Sequence, residues 1–493
     1  PRQRLPNSLH RICLAFVARN IQALCPENTP IVGVLPPSIN EEILAVLQRS
    51  QPHNLGLLIH ILGSVVRRVA LPPGTPLAEV AALSVFRQLL QNQKHLVDLD
   101  LVLAPLHVDA FAALLSRLVR LQRLVLWVDD LTEPLVVAIC LFCTRLRQLC
   151  LYKVGRGSYI RVVAANDNAH LIELSVHLPL KILTSLPELR VFRISFLAFA
   201  LLNLPATTRL KLTELVALEP SILECPWALL HITAVCPMLT KVYLSLTNDR
   251  EITPLARLAF LDDLSLFTSG DANVCFMALI EPLLRIVGGN LRRLRLYISD
   301  LDINCITRFC PALRELRLEG LERLINYSRD ETRSLVRLQK FRLSLHVMSS
   351  LHPNRPFEFL QDYGHLAVVF LKRCHLADSA LQQLISSGTF SRLRELQLTE
   401  VHGVTMSGLR DLVMAENDLL LLFVIRCTHV TSVHIDELRR LVRSMNLGLG
   451  IHFSPLTPES KLSVLAVCFS NGVIHVMKNY DDISPTIINT GLK

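Results

Sequence analysis

Apolar residues recur along most of this chain at a fixed spacing. The pattern is LxxLxL, with other apolar residues allowed, and its first four copies begin at Leu96, Leu121, Leu146 and Leu171, each 25 residues after the last. Later copies begin at Leu189, Thr207, Leu239, Leu261, Leu291, Leu313, Leu338, Leu366, Leu393 and Leu420. Fourteen copies at repeat spacing predict one supersecondary unit stacked many times.

Within each copy, alternation predicts a strand whose second and third leucines enter one core. The remaining residues must return the chain, and segments 135–142 and 379–385 have the apolar spacing of helices. Some returns end in Cys143-Thr144, Cys236-Pro237 or Cys310-Pro311. This resembles the cysteine-containing subclass of leucine-rich repeats and implies an α/β solenoid. We expect a curved parallel sheet on its concave face and helices on its convex face.

The ends of the repeat array need other structure to cover them. Residues 1–95 have a helical pattern and are predicted to form an N-terminal helical cap, followed by the solenoid over 96–453. In the segment 462–477, apolar residues alternate around Asn471-Gly472, a dipeptide typical of a tight hairpin turn. Residues 454–493 are therefore predicted to be a hairpin cap and a polar tail.

Composition narrows the functional class only modestly. The 493 residues carry a formal net charge of +9, which suits acidic partners without choosing among them. The 13 cysteines follow no disulfide framework, which favours a cytoplasmic or nuclear protein. We expect no secretory signal and no apolar run long enough to cross a bilayer.

The N-terminal segment carries a short motif of the form S-L-x-x-x-C-x-x-x-V. It consists of Ser8, Leu9, Cys13 and Val17, and the last three would share one face of a helix. This resembles the BC box, the elongin C-binding helix of VHL-box and SOCS-box proteins. The resemblance implies that Leu9 enters a pocket on elongin C, that Cys13 packs beside it, and that elongin B is recruited as well.

A second motif follows at Leu35, Pro36, Ile39 and Ile43. It resembles the cullin-2 box, whereas Ser38 departs from the cullin-5 version. The order of BC box, cullin box and leucine-rich repeats is similar to that of Zyg-type substrate receptors of cullin-2 ligases. Those proteins usually continue into armadillo-like repeats, so their substrate site is not carried over to this shorter chain.

Two other interpretations of the N-terminal segment stay open. Residues 5–9 and Ile12 also resemble the start of an F-box, the adaptor motif of cullin-1 ligases. An F-box normally continues with a Val-Cys-x-x-Trp-like segment, whereas the first tryptophan here is Trp127. Alternatively, Leu9, Cys13 and Val17 only pack a cap helix on the first repeat, and the chain is a scaffold or inhibitor unrelated to ubiquitin.

Residues between the strand leucines are expected to face the concave surface, where middle repeats are rich in basic and aromatic side chains. We predict that this stripe binds a protein substrate with an acidic or phosphorylated segment. The alternative is that lysine and arginine there only keep the sheet soluble. The predicted substrate-binding residues are Arg293, Arg295, Tyr297, Arg317, Lys340, Arg342 and Phe370.

The sequence offers no motif for catalysis, cofactor binding or metal binding. Cys140 and Cys143 form a lone CxxC with apolar neighbours, which is typical of core packing. No P-loop, HExxH or nucleophile-elbow pattern occurs. We therefore expect no enzyme, no cofactor and no metal, and the mild net charge with no recognised motif argues against nucleic acid as the partner.

Overall fold

A computed structural model describes residues 68–70, 95–102, 108–128, 131–153, 169–194, 197–217, 227–246, 252–268, 275–324, 335–345, 360, 364–455, 466–470 and 473–477. The chain divides into two compact units. The N-terminal unit comprises residues 7–222 and 230–239. The C-terminal unit comprises residues 1–6, 223–229 and 240–493.

The described part of the N-terminal unit alternates strands with helices. Its elements in chain order are β1 Arg68–Ala70, β2 Asp98–Val102, α1 Val108–Leu115, β3 Arg123–Val128, α2 Glu133–Phe142, β4 Gln148–Lys153, α3 Ala169–Ser185, β5 Val191–Arg193, α4 Leu197–Leu202, β6 Glu214–Ala217 and α5 Ala228–Val235, of which the last also has residues in the C-terminal unit. Strands β1 to β6 lie side by side in chain order. Neighbouring strands pair in parallel.

The C-terminal unit repeats the same arrangement. Its elements are β7 Lys241–Leu246, β8 Asp263–Thr268, α6 Glu281–Val287, β9 Arg293–Tyr297, β10 Asp300–Leu301, α7 Ile303–Phe309, β11 Glu315–Leu321, β12 Arg323–Leu324, β13 Lys340–Leu345, β14 Val368–Lys372, α8 Asp378–Ser386, β15 Glu395–Thr399, α9 Met406–Met414, β16 Leu421–Ile425, α10 Ser432–Ser444, β17 Gly450–Ser454, β18 Ala466–Ser470 and β19 Val473–Met477. Short non-α turns lie at Thr253–Arg257, Phe276–Ile280 and Gly288–Asn290.

The larger sheet of this unit is parallel and follows the order β7, β8, β9, β11, β13, β14, β15, β16, β17. Strands β10 and β12 form a separate parallel pair, and β18 and β19 an antiparallel one. The strands of the last pair lie on either side of Asn471-Gly472 in the sequence, and their pairing is the one that a hairpin requires. These repeating strand-and-return units establish the leucine-rich-repeat fold, and with it the predicted α/β class.

Strand alternation places the repeat leucines in the core. In β9, Leu294 and Leu296 are buried while the residues between them are partly exposed. The same alternation holds in β11, where Leu316 and Leu318 are buried. One face of each strand therefore contributes to a leucine core and the other carries polar side chains, which we call the strand face.

Three predicted repeat starts are wrong. Leu171 lies within α3, because leucines three apart suit a helix as well as the LxxLxL pattern. The copy placed at Thr207 is displaced, since the residues that are buried are Leu212, Leu215 and Ala217. The last copy begins at Leu419, one residue before the predicted start.

A strand also occurs inside the region predicted to be a helical cap. Strand β1 pairs with β2 in register from Arg68 opposite Asp98. Parallel pairing therefore starts before the first LxxLxL copy at Leu96. The segment 68–70 was missed because its short sequence, Arg-Val-Ala, lacks the leucine spacing.

An ion-pair ladder marks the strand ends of three late repeats. Arg373, Glu400 and Arg426 each directly follow a strand and each has a positive φ, of 55°, 53° and 53°. Glu400 accepts a 2.7 Å hydrogen bond from Arg373 and a 3.2 Å one from Arg426. Ion pairing thus accompanies a backbone conformation that non-glycine residues rarely adopt.

Candidate strand-face binding site

The seven predicted substrate-binding residues lie on four adjacent strands of the C-terminal unit. Strand β9 carries Arg293, Arg295 and Tyr297, β11 carries Arg317, β13 carries Lys340 and Arg342, and β14 carries Phe370. They occupy alternate positions to the buried leucines, so all seven lie on the strand face. The structure therefore brings these residues together as the sequence predicted.

Three arginines stand at the same height on neighbouring strands. Strand register places Arg317 opposite Arg295 on one side and opposite Arg342 on the other. Neighbouring strands lie about 4.8 Å apart, so the three side chains start close together. We call Arg295, Arg317 and Arg342 the arginine row. About a quarter of each side chain is exposed, with values of 26%, 25% and 23%.

Carboxylates flank the row rather than interrupt it. Arg295 forms a 3.3 Å ion pair with Glu315, which lies on β11 two residues before Arg317. Glu319, two residues after Arg317, accepts a hydrogen bond from Arg317 and lies 3.7 Å from Arg342. The acids thus restrain the guanidinium groups from the sides, an arrangement that the sequence pattern alone did not reveal.

A further acid lies beneath the edge of the row. The Asp263 side chain is almost fully buried and forms a 2.9 Å ion pair with Arg293. It also accepts a 3.1 Å hydrogen bond from the hydroxyl of Tyr243. Burial raises the pKa of Asp263 above its usual range, and nearby Arg295 and Arg293 oppose that rise.

Aromatic rings support the two ends of the row. The guanidinium carbon of Arg342 lies 3.8 Å from the ring centre of Phe370, and that of Arg295 lies 5.9 Å from the ring centre of Tyr243. Such cation–π contacts hold a charged group over a ring face. Phe370 is only 9% exposed. The ring thus supports Arg342, and the predicted contact of Phe370 with substrate stays a prediction.

The central arginine of the row has a like-charged neighbour on each side. Burial lowers the pKa of Arg317, and the charges of Arg342 and Arg295 lower it further, although Glu319 opposes this. Like charges directly opposite one another on neighbouring strands are destabilising. An anion bound beside Arg317 would act in the same direction as Glu319 and favour the protonated guanidinium.

Positive charge predominates on this part of the strand face. From β7 to β14 the outward positions of the larger sheet carry seven basic residues and three acidic ones. The basic residues are Lys241, Arg293, Arg295, Arg317, Lys340, Arg342 and Lys372, and the acidic ones are Asp263, Glu315 and Glu319. At the height of the row, the flanking positions are uncharged, with Ser265 on β8 and Phe370 on β14. At that height, positive charge therefore lies on three adjacent strands and on neither strand beside them.

The strand face of the N-terminal unit has a different character. Trp127 and Tyr152 are stacked with ring centres 4.5 Å apart, and the indole of Trp127 donates a 3.3 Å hydrogen bond to Asp100. Arg193 forms a 2.6 Å ion pair with Glu214. Arg123 bridges two acids of β2. Acids and bases are close to balanced there, so this face lacks the charge excess of the C-terminal unit.

The copy predicted at Thr207 would put two further basic residues, Arg209 and Lys211, between strand leucines, but the structure does not place them on the strand face. Arg209 and Lys211 precede β6 instead of lying within it. Lys211 forms a 2.5 Å ion pair with Glu188 at the start of a neighbouring repeat. Their displacement follows from the wrong repeat start at Thr207.

The predicted elongin-binding residues Ser8, Leu9, Cys13 and Val17 lie outside the described residues. The same holds for the predicted cullin-binding residues Leu35, Pro36, Ile39 and Ile43. Their roles therefore stay predictions from the sequence. The candidate site that the structure presents is the strand face of the C-terminal unit.

Seven of the cysteines within the described segments are buried thiols, whereas Cys140 is half-buried and Cys275 is exposed. Burial raises the pKa of Cys143, Cys236 and Cys310 to about 12 in each case. In the part of the chain that the structure describes, no group of three or more His, Cys, Asp or Glu side chains could hold a metal ion. None of the helices within these segments is long and apolar enough to span a membrane.

Comparison with known proteins finds no matching family model and no matching curated protein. Solved structures give weak similarities. The yeast Rad7 and Elc1 complex aligns with 14% identity over 90% of this chain and 97% of that one, with a TM-score of 0.42. The TLR13–ssRNA13 complex aligns with 17% identity over 69% and 44% of the two chains, with a TM-score of 0.38.

An internalin, inlF of Listeria monocytogenes, aligns with 17% identity over 89% of this chain and all of that one, with a TM-score of 0.33. All three TM-scores are below 0.5, so no functional conclusion about this chain rests on them. What the chain presents is a leucine-rich-repeat fold whose C-terminal unit carries a positively charged strand face.

Proposed function

We propose that this chain is the substrate-recognition subunit of a ubiquitin ligase built on elongin B/C and cullin-2. In this role an N-terminal motif centred on Leu9 and Cys13 binds elongin C, and the motif from Leu35 to Ile43 binds cullin-2. The strand face of the C-terminal unit binds a protein substrate. The chain itself performs no chemistry, and it works in the cytoplasm, the nucleus or both.

The observation that carries the binding role is the preorganised charge on the strand face. Arginine is a favoured anchor at protein interfaces, and here its side chains are held by neighbouring acids and rings. A parallel sheet packed on a leucine core is a rigid support for such groups. Binding to this face requires little ordering of the receptor, which favours recognition of a protein segment.

The ligase role is supported by the sequence of the N-terminal segment. A BC-box-like motif, a cullin-box-like motif and leucine-rich repeats follow one another in the order typical of receptor proteins. In a receptor of this class, catalysis is by proximity. The substrate is held near a recruited RING protein and its conjugating enzyme, so the effective concentration rises without new chemistry.

The direct experiment is co-purification of the full chain with elongin B/C. The parent chain is expected to retain elongin B/C through size-exclusion chromatography, and the pair Leu9→Ala with Cys13→Phe is expected to lose it. Arg11→Ala is the matched control, because it changes a position between the motif residues. A circular-dichroism melt of each variant reports whether the repeats stay folded.

Three other results would each overturn the proposal. If the parent chain retains no elongin B/C, the ligase role fails. If it retains a Skp-type adaptor instead, the chain is an F-box receptor of a cullin-1 ligase. If the Leu9 and Cys13 variant binds elongin as well as the parent does, the motif is not the elongin site and serves only to pack the chain.

A further inference from the structure

The arginine row is too concentrated to be explained by solubility of the sheet. Solubility requires dispersed charge, whereas three guanidinium groups here occupy one height on consecutive strands. Neutral residues occupy the same height on the strands to either side. Three guanidinium groups gathered at one height, each held by a neighbouring acid, indicate a recognition role for this part of the strand face.

The register of the row suits a phosphate group bound at Arg317. The arginines on the two neighbouring strands start about 4.8 Å away, within reach of the oxygens of that anion, although the rings of Tyr243 and Phe370 hold their guanidinium groups to either side. Arg317 has such a neighbour on both sides, at Arg295 and Arg342. Planar guanidinium groups bind phosphate oxygens in pairs, and this gives them directional specificity that lysine lacks.

The supporting contacts leave the row accessible while they fix its direction. Glu315 and Glu319 bind the guanidinium groups from the two ends of the strand segment. Phe370 lies against one face of Arg342. About a quarter of each arginine side chain is still exposed to solvent. The row is thus positioned before a ligand arrives, and this reduces the entropic cost of binding.

The same contacts disfavour a polynucleotide. Nucleic-acid surfaces need positive charge that follows a backbone of many phosphates, and single-stranded binders add open aromatic faces for base stacking. Here the three arginines of the row lie on only three strands, with uncharged residues at the same height to either side. The face of Phe370 is covered by Arg342. Tyr297 is 38% exposed, but Gly320 lies against its ring, where an added Cβ would come to 3.3 Å.

We infer that the arginine row is a phosphate-recognition site, which takes a phosphorylated serine or threonine in an extended segment of the substrate protein. That the ligand is a protein rests on the proposed function, whereas phosphate binding at the row does not require elongin. At the height of the row, Tyr243 and Phe370 lie on strands that are five strand spacings apart, which is a distance of about 24 Å across the sheet. At about 3.3 Å per residue, an extended segment of roughly seven residues covers that distance.

The test uses the full chain and immobilised peptide pools. One pool has eleven residues with phosphoserine fixed at the centre and all other positions degenerate, and the other has serine at the centre. We expect at least tenfold more chain on the phosphoserine pool and elution by free O-phosphoserine. Arg317→Gln should reduce this retention tenfold or more. Arg410→Gln should leave it unchanged, because Arg410 pairs with Glu437 on the helices α9 and α10.

A second variant guards against a folding defect. Arg317→Lys keeps the charge but removes the fork, so the chain should fold as the parent does and still lose several-fold in retention. Equal retention on both pools would overturn the inference, as would full retention by Arg317→Lys and Arg317→Gln. If single-stranded polyuridylate binds more tightly than phosphoserine and depends on Arg317, the row is a nucleic-acid site and the inference is wrong.

The outcome separates this inference from the proposed function. A chain that binds elongin B/C through Leu9 but ignores phosphoserine remains a ligase receptor with a different mode of substrate recognition. Conversely, a chain that binds phosphoserine through Arg317 without elongin is a phosphoprotein-binding repeat protein of another kind.

Discussion

Replacing Glu319 with glutamine is expected to strengthen phosphate binding at the arginine row. Glu319 contacts Arg317 and lies 3.7 Å from Arg342, so its carboxylate occupies the same guanidinium groups that a phosphate would use. Glutamine keeps the shape and the hydrogen-bonding capacity of the side chain but removes the negative charge. The change therefore isolates the electrostatic competition between Glu319 and the ligand.

The size of the effect follows from Coulomb's law. With hydrogen bonds of about 2.8 Å on either side of a guanidinium, the phosphate would lie roughly 6 Å from the Glu319 carboxylate. At that distance, a phosphate with two negative charges and the singly charged Glu319 carboxylate repel each other by about 1.4 kcal/mol in water. Physiological salt reduces this to about 0.7 kcal/mol. The dissociation constant for phosphoserine should therefore fall about three- to tenfold in Glu319→Gln.

The stability cost should be moderate. The Glu319 side chain is only 14% exposed, and a hydrogen bond to a charged group contributes about 1.5–3 kcal/mol, of which glutamine keeps part. Urea unfolding is expected to show a loss within that range, and addition of O-phosphoserine should recover part of it, because a ligand of the folded state stabilises it.

The assay is isothermal titration of O-phosphoserine into the full chain at two salt concentrations. Glu437→Gln is the matched control, because it removes a carboxylate that pairs with Arg410 at 2.5 Å, away from the row. The gain in affinity should be specific to Glu319→Gln and should shrink at high salt. An unchanged or weaker affinity in a folded Glu319→Gln chain would refute the competition and the location of the phosphate.

Three further predictions concern stability and reactivity. Burial alone would raise the pKa of Glu400, but hydrogen bonds and charge from two arginines outweigh burial and lower it below its ordinary value of about 4.3. Glu400 therefore stabilises the fold at neutral pH and loses that contribution as the pH falls through its lowered pKa, so Glu400→Gln should reduce the urea midpoint at pH 7 and the difference from the parent should shrink in acid. Asp302 accepts the backbone N–H groups of Asn304 and Cys305 at the start of α7, so Asp302→Ala should cost about 1–2 kcal/mol in chemical denaturation while Asp302→Asn keeps most of it. Among the cysteines within the described segments, exposed Cys275 should react first with iodoacetamide in peptide mapping, and Cys374, whose pKa burial raises strongly, should react only after unfolding; early labelling of Cys374 would contradict its burial.

The repeat architecture could be predicted because leucine spacing encodes it directly. Leu294 and Leu296 alternate with polar residues, and a strand can place them in a core only in one way. The spacing fails where a helix satisfies it equally well, as at Leu171 within α3. It also fails where a strand is too short to show a pattern, as in β1.

The candidate site was predicted in its location but not in its electrostatics. Alternation identified Arg295, Arg317 and Arg342 as outward-facing, since this needs only the period of a strand. Their pairing with Glu315 and Glu319 depends on which residues lie opposite one another on neighbouring strands. The period of a single strand does not determine that register. The burial of Phe370 under Arg342 depends on side-chain packing and could not be read from strand period at all.

The central claim is that separate segments of this chain hold the ligase and the substrate. Its most direct test is light scattering on the mixture of full chain and elongin B/C, with the mass compared among the parent, the Leu9→Ala and Cys13→Phe pair, and Arg317→Gln. The account predicts a complex of one chain with one elongin B/C for the parent and for Arg317→Gln. For the variant with Leu9→Ala and Cys13→Phe it predicts only the separate chain and separate elongin B/C. An elongin complex that persists without Leu9 and Cys13, or that is lost on removal of Arg317 from a folded chain, would contradict it.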